Sequence, residues 1–138
     1  MDWLIEVHGS LRWLVALALL AIIVGAIAAI VTRRWPGWIP WGIRSAVLLV
    51  TLQFLVGLVL LINGSIAAGW QMQSLRLQYE HAVTMLLALG AVHMLPRAAG
   101  AAEPRARGRR VLLLALIAAL LVAVGVIRLR GAAYWIPF

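Results

Sequence analysis

Three histidines, His8, His81 and His93, are the side chains best suited to chemistry in this 138-residue sequence. Neutral imidazole is the usual axial ligand of a b-type haem iron, and in helical bundles the ligands of a buried cofactor stand on facing helices. His8 opens the first apolar segment and His81 lies in the polar approach to the third, which puts both on the same side of the expected topology. His93 follows His81 by twelve residues, about 18 Å along a helix, so it cannot share an iron with either. His8 and His81 are therefore the candidate haem ligands. The alternative is a pair of interfacial histidines with ordinary hydrogen bonds.

Other polar groups either serve such a site or hold helices together. Arg12, one turn after His8, reaches lipid phosphate or meets a haem propionate. Gln53, midway through the second apolar run, is an interhelical hydrogen-bonding group or a polar neighbour of a haem or quinone edge. Met85 reads as core filler rather than a ligand. Arg76 and Glu80 stand four apart and can neutralise each other as a polar cluster. There are no cysteines, which excludes thiolate metal sites and thiol catalysis. Paired carboxylates, a phosphate-cradling glycine loop and a nucleophile–base pair are all missing. No catalytic residue is expected, and the chain reads as a non-enzyme with at most haem b as cofactor.

The elements that must position these residues are four long apolar runs, at about 13–32, 43–62, 75–95 and 111–127. About 20 helical residues cross a hydrocarbon layer of about 30 Å, and only helices or closed barrels satisfy their backbone groups there. Strand alternation is missing from the runs. The expected fold is all-α: one transmembrane domain, an up-down-up-down four-helix bundle with helices near 8–32, 43–63, 75–95 and 109–128. The first run resembles a signal peptide only in its Ala26-Ile27-Ala28 segment. It is preceded by Asp2 and Glu6 instead of a basic cluster, and is expected to be an uncleaved span.

The formal charge is +8, and all twelve basic residues are arginines placed at helix ends and in short loops. That placement fits membrane topology and anionic lipid, and it argues against nucleic acid or a soluble substrate as a partner. Eight arginines (Arg33, Arg34, Arg44, Arg97, Arg105, Arg107, Arg109, Arg110) border loops one and three, against four (Arg12, Arg76, Arg128, Arg130) on the other side. The first and third loops are thus expected in the cytoplasm of a bacterium and both termini on the periplasmic side of its inner membrane. Trp3, Trp13, Trp70 and Trp135 belong near the outer interface and Trp35, Trp38 and Trp41 near the inner one, as interfacial anchors. Asn63-Gly64-Ser65 matches a glycosylation sequon but abuts the membrane, and is read as a chance match.

Packing is expected along two stripes of small residues, Ala21, Gly25 and Ala29 on the first helix and Ala115, Ala119 and Ala123 on the fourth. Such stripes let backbones approach within lipid, in the same chain or against another membrane subunit. The third helix is unusual, because its apolar part, 82–95, is too short to cross alone and its outer third must carry polar groups at depth. Measured from the inner ends of the runs, His8 falls about 6 Å outside the hydrocarbon and His81 about 8 Å inside. That offset of about 14 Å opposes a shared haem, and helix tilt reduces it only in part.

His8-Gly9-Ser10-Leu11-Arg12-Trp13, Leu52-Gln53-Phe54-Leu55-Val56-Gly57, Tyr79-Glu80-His81 with Met85, and Trp135-Ile136-Pro137-Phe138 resemble a family of small bacterial four-span proteins loosely labelled cytochrome b-like. The family's pattern is an H-x-x-L-R-W opening, an L-Q-x-x-x-G second helix, an E-H third helix and a proline–aromatic end. His8, Arg12, Gln53, Glu80 and His81 fall on matching positions, whereas His93 does not belong to it. The resemblance implies a place in respiratory or photosynthetic electron transport. The expected role is a small non-catalytic accessory subunit that stabilises a larger membrane complex. The alternative is a b-type cytochrome with haem between His8 and His81.

Overall fold

Long unbroken runs of Leu, Ile, Val and Ala favour helix wherever proline and glycine pairs do not interrupt them. In a computed structural model, which describes residues 2–100 and 103–131, four helices form: α1 (Asp2–Thr32), α2 (Ile39–Ala67), α3 (Arg76–Ala98) and α4 (Pro104–Arg130). No strand occurs among the described residues. Prolines mark the starts, where a missing N–H costs nothing: one lies in the first turn of α2 and another in the first turn of α4. Pro96 sits within the last turn of α3. Left-handed residues stand after two of the helices, at Arg33 (φ 56°), Gly69 (φ 59°) and Trp70 (φ 60°).

All four helices start earlier or end later than their apolar runs. α1 begins six residues before His8, so His8 lies within the helix and does not open it. The sequon asparagine is inside α2, where its side-chain amide donates to the Val59 carbonyl at 2.9 Å. Trp135, the closing Trp135–Phe138 segment and part of the third loop lie outside the described residues.

Each helix packs against its neighbours in sequence, and α1 also packs on α4, which leaves α1 and α3 opposite each other. The core is concentrated towards one end. It combines Val15, Leu19, Ile22, Ala26 and Ala29 of α1, Ile39 to Val50 of α2, Ala88 to Leu95 of α3, and Val111 to Val122 of α4. The expected small-residue stripes are only partly the ones used. Gly25, Ala29 and Ala115 are buried, Ala119 and Ala123 are half-buried, and Ala21 is exposed. The buried face of α4 follows Gly108, Val111, Ala115, Ala118, Val122 and Val126 instead. A strict four-residue spacing advances about 40° per step around a helix of 3.6 residues per turn, so it leaves the contact face within two steps.

Glycine is needed where α1 meets its two neighbours at this end. A Cβ on Gly108 would stand 2.8 Å from the Ala26 carbonyl oxygen, so α1 and α4 meet backbone to backbone there. On Gly25 it would stand 2.7 Å from the Trp38 ring and 2.8 Å from Ile39, where α2 begins.

α1, α2 and α4 are long and apolar enough to cross a membrane, consistent with a membrane protein. α3 is not among them, in keeping with its polar beginning. Large apolar side chains point outward on every helix, for example Val31 (75% exposed), Leu120 (64%), Leu48 (59%) and Leu87 (59%).

Candidate functional site

At the end of the molecule away from the core, the helices part around a cavity of about 310 Å³. All four contribute to its wall, including His8 and Arg12 of α1, Gln53 of α2, His81 and Met85 of α3, and Arg130 of α4. Its floor is the upper edge of the core, at Val15, Val50, Ala88 and Val122.

His8 and His81 face each other across the helix diagonal. Their ring centroids are 6.4 Å apart and their planes meet at 79°. The axial offset of about 14 Å inferred from hydropathy is thereby corrected. Hydropathy along each run does not by itself fix the relative height of residues on two different helices.

Each ring rests on a glycine of the following helix. A Cβ on Gly57 of α2 would come within 2.8 Å of His8 Cε1, and one on Gly125 of α4 would meet the Met85 methyl group and lie 3.4 Å from His81 Nδ1. His81 Nδ1 is 3.0 Å from the Gly125 carbonyl oxygen. A carbonyl only accepts, so Nδ1 carries the proton and Nε2 keeps its lone pair. That is the tautomer of a metal-binding histidine whose other nitrogen is anchored by the backbone.

The His8 side is held differently. Gln53 Nε2 donates to the His8 main-chain carbonyl at 2.8 Å, tying α2 to α1 beside the ring. Gln53 Oε1 and His8 Nδ1 are both buried and find no hydrogen-bond partner among the described residues. Buried polar atoms without partners are uncommon, and here two line one cavity.

The remaining candidates fall around this centre or away from it. Glu80 accepts from Arg76 Nε at 2.8 Å and also pairs with Arg128 of α4. Met85 lines the cavity next to Gly125. His93 is exposed and bonds within its own helix to the Leu89 carbonyl at 2.9 Å. Sequence reasoning missed Gly57 and Gly125 as seats for the rings, and it missed the Ser65–Tyr79 link. Ser65, only 1% exposed, lies 2.7 Å from the Tyr79 hydroxyl and also bonds to the Leu61 carbonyl at 2.7 Å. Since the serine proton goes to Leu61, the tyrosine donates. The glycine of the L-Q-x-x-x-G motif was the available signal for Gly57. Nothing in the sequence singled out Gly125.

Two imidazoles on opposite sides of one metal, each about 2 Å from it, place their centroids about 6 Å apart. The observed 6.4 Å meets that requirement. No group of three or more His, Cys, Asp or Glu gathers among the described residues. Two imidazoles alone are too few donors for a protein-only zinc or copper site, but they suffice for an iron whose other four positions are filled by a porphyrin. His8 and His81 match such a pair in number and in the spacing of their ring centroids. Comparisons with protein-family models, with curated proteins and with solved structures give no match to this chain.

Proposed function

We propose that this chain is a b-type cytochrome, a multi-pass protein of the bacterial inner membrane that binds one haem between His8 and His81. It exchanges electrons with a quinol pool or a periplasmic carrier. The observation that carries the reading is the 6.4 Å separation of two imidazoles, one of them anchored through Nδ1 to the Gly125 carbonyl. A haem iron held by two imidazoles supplies one-electron transfer. The chain's own part is to hold and orient. Gly57 and Gly125 let the rings seat against helix backbones, Gln53 ties the His8 turn to α2, and the apolar wall excludes water. No side chain makes or breaks a bond in this reading.

The four helices would alternate in direction across the bilayer, with loops one and three cytoplasmic. Support comes from the lengths and apolarity of α1, α2 and α4 and from the eight-to-four arginine bias. Support also comes from Arg44 stacked on Trp41 at 5.1 Å and Arg107 on Trp35 at 5.6 Å, which suit the charged edge of a membrane interface.

A pyridine haemochrome assay on protein from haem-replete cells tests the reading. About one b-type haem per chain is expected, lost in His81→Ala, and a preparation with no Soret band would overturn it. The accessory-subunit role keeps one favourable observation. Leu48, Leu52, Leu55 and Val59 form an exposed apolar face along α2 that another membrane subunit can cover as well as lipid can. Co-purification of a respiratory or photosynthetic complex in mild detergent would show that the two roles coexist.

A further inference from the structure

The two histidines of the cavity are held unequally. His81 is fixed through its ring: Nδ1 donates to the Gly125 carbonyl at 3.0 Å, and the Met85 methyl group lies against the same glycine. His8 is fixed through its main chain, whose carbonyl accepts from the Gln53 amide at 2.8 Å. Its ring lies over Gly57, and its buried Nδ1 has no hydrogen-bond partner among the described residues. An imidazole that ligates a metal through Nε2 carries its proton on Nδ1. At His81 that proton has an acceptor. At His8 it has none, and a buried donor left without an acceptor keeps its full desolvation cost. A hydrogen bond from the far nitrogen also raises the basicity of a ligating histidine, so His81 is the stronger ligand of the two.

We infer that His8 is an exchangeable ligand, and that the place its ring vacates binds a small neutral diatomic molecule with π-acceptor character, for which carbon monoxide is the probe. The inference rests on the haem reading and adds to it a binding activity that electron transfer does not need. The cavity of about 310 Å³ leaves room beside His8 for the ring to turn aside. Its wall there is largely apolar, with Ile5, Phe54, Leu58 and Leu61, which suits a neutral ligand better than an ion. The exchange breaks one iron–Nε2 bond and forms one iron–carbon bond. No electron is transferred, and His8 leaves as neutral imidazole with its proton still on Nδ1. Once turned, the ring can present that proton to water, which removes the cost it carried as a ligand.

The test adds carbon monoxide to the dithionite-reduced full chain in detergent and follows the Soret band. The wild-type chain is expected to form the carbonyl adduct, at a rate that levels off with rising carbon monoxide because His8 must leave first. His8→Ala is expected to keep haem through His81 and to bind carbon monoxide at least about tenfold more tightly, since no internal ligand competes for the iron. A reduced wild-type spectrum unchanged in carbon monoxide-saturated buffer overturns the inference and leaves the haem reading intact, and this arm needs no variant to fold. Equal affinities in the wild type and His8→Ala overturn it too. So does a His8→Ala chain as empty of haem as His81→Ala, because the two ligands are then held alike. If the wild-type chain gives no haem band, the haem reading itself fails and the exchangeable ligand with it.

Discussion

The two ends of this molecule use small residues for opposite purposes. At the core end, Ala26, Ala29, Ala46, Ala115 and Ala118 are wholly buried, and Gly108 lets one helix backbone touch the next. At the histidine end, Gly57 and Gly125 admit imidazole rings instead of backbones, and the helices stand around a cavity. The same four helices are thus closed at one end and open at the other. What differs is which atom occupies the space left by the missing Cβ. A glycine facing a carbonyl oxygen closes a seam, whereas a glycine facing a ring keeps a site in place.

The largest difference between the ends should appear on truncating leucines. Leu19 is 2% exposed in the middle of the core, so Leu19→Ala is expected to cost about 2–5 kcal/mol through lost contacts and a new void. Leu61 already borders the cavity, and Leu61→Ala enlarges a space that exists. It should cost less than about half as much. Denaturation of both variants in the same detergent measures the gap. Equal losses would mean that the open end is as tightly packed as the closed one.

Adding a methyl group sharpens the contrast. Gly108→Ala places Cβ against a carbonyl that cannot turn aside, and about 1–3 kcal/mol of destabilisation is expected. Gly57→Ala places Cβ against the His8 ring, which can rotate away. Stability should change by less than about 1 kcal/mol while haem content falls. Thermal unfolding and the haemochrome assay, run on both variants, separate the two outcomes. A Gly57→Ala protein that unfolds yet retains haem would reverse the assignment.

Much of the closed end was legible in the sequence, and less of the open one. Apolar runs mark helices because a long run can be buried only against lipid or other helices, and α1, α2 and α4 each contain theirs and extend beyond it. The Arg76–Glu80 pair is equally local, being set by a spacing of four within one helix. The small-residue faces were displaced, since spacing alone does not say where a contact face turns around the helix. The approach of His8 to His81 was concealed because it depends on Gly57, Gly125 and Gln53, each on a different helix from the ring it supports. Arg130 is in sequence one more charge at a helix end, and only the fold shows that it lines the same cavity as Arg12.

A single hydrogen bond gives a smaller test. Tyr79 donates to the buried Ser65 at 2.7 Å and joins α2 to α3 beside the cavity. Tyr79→Phe leaves Ser65 satisfied by Leu61, so the cost should be about 0.5–1.5 kcal/mol. Removing that tie should loosen the histidine end more than the core. Hydrogen exchange should rise around 61–81 and stay unchanged around 88–95. Equal loosening throughout would make the chain one cooperative block and dissolve the distinction between its ends.

The smallest effect belongs to the exposed ion pairs. Arg128 reaches Glu80 from α4, but its side chain is 59% exposed and Glu80 keeps Arg76 as a second partner. Solvent-exposed pairs of this kind contribute little, because water and salt screen the attraction and ordering the long side chains costs entropy. Arg128→Gln is therefore expected to leave the melting temperature unchanged within error at both low and high ionic strength. Haem content should stay unchanged as well, since Arg128 does not line the cavity. A clear, salt-sensitive loss of stability would show that charge at the rim holds the open end together. The cavity would then owe its shape to the Glu80 network, and the two glycine seats would be secondary to it.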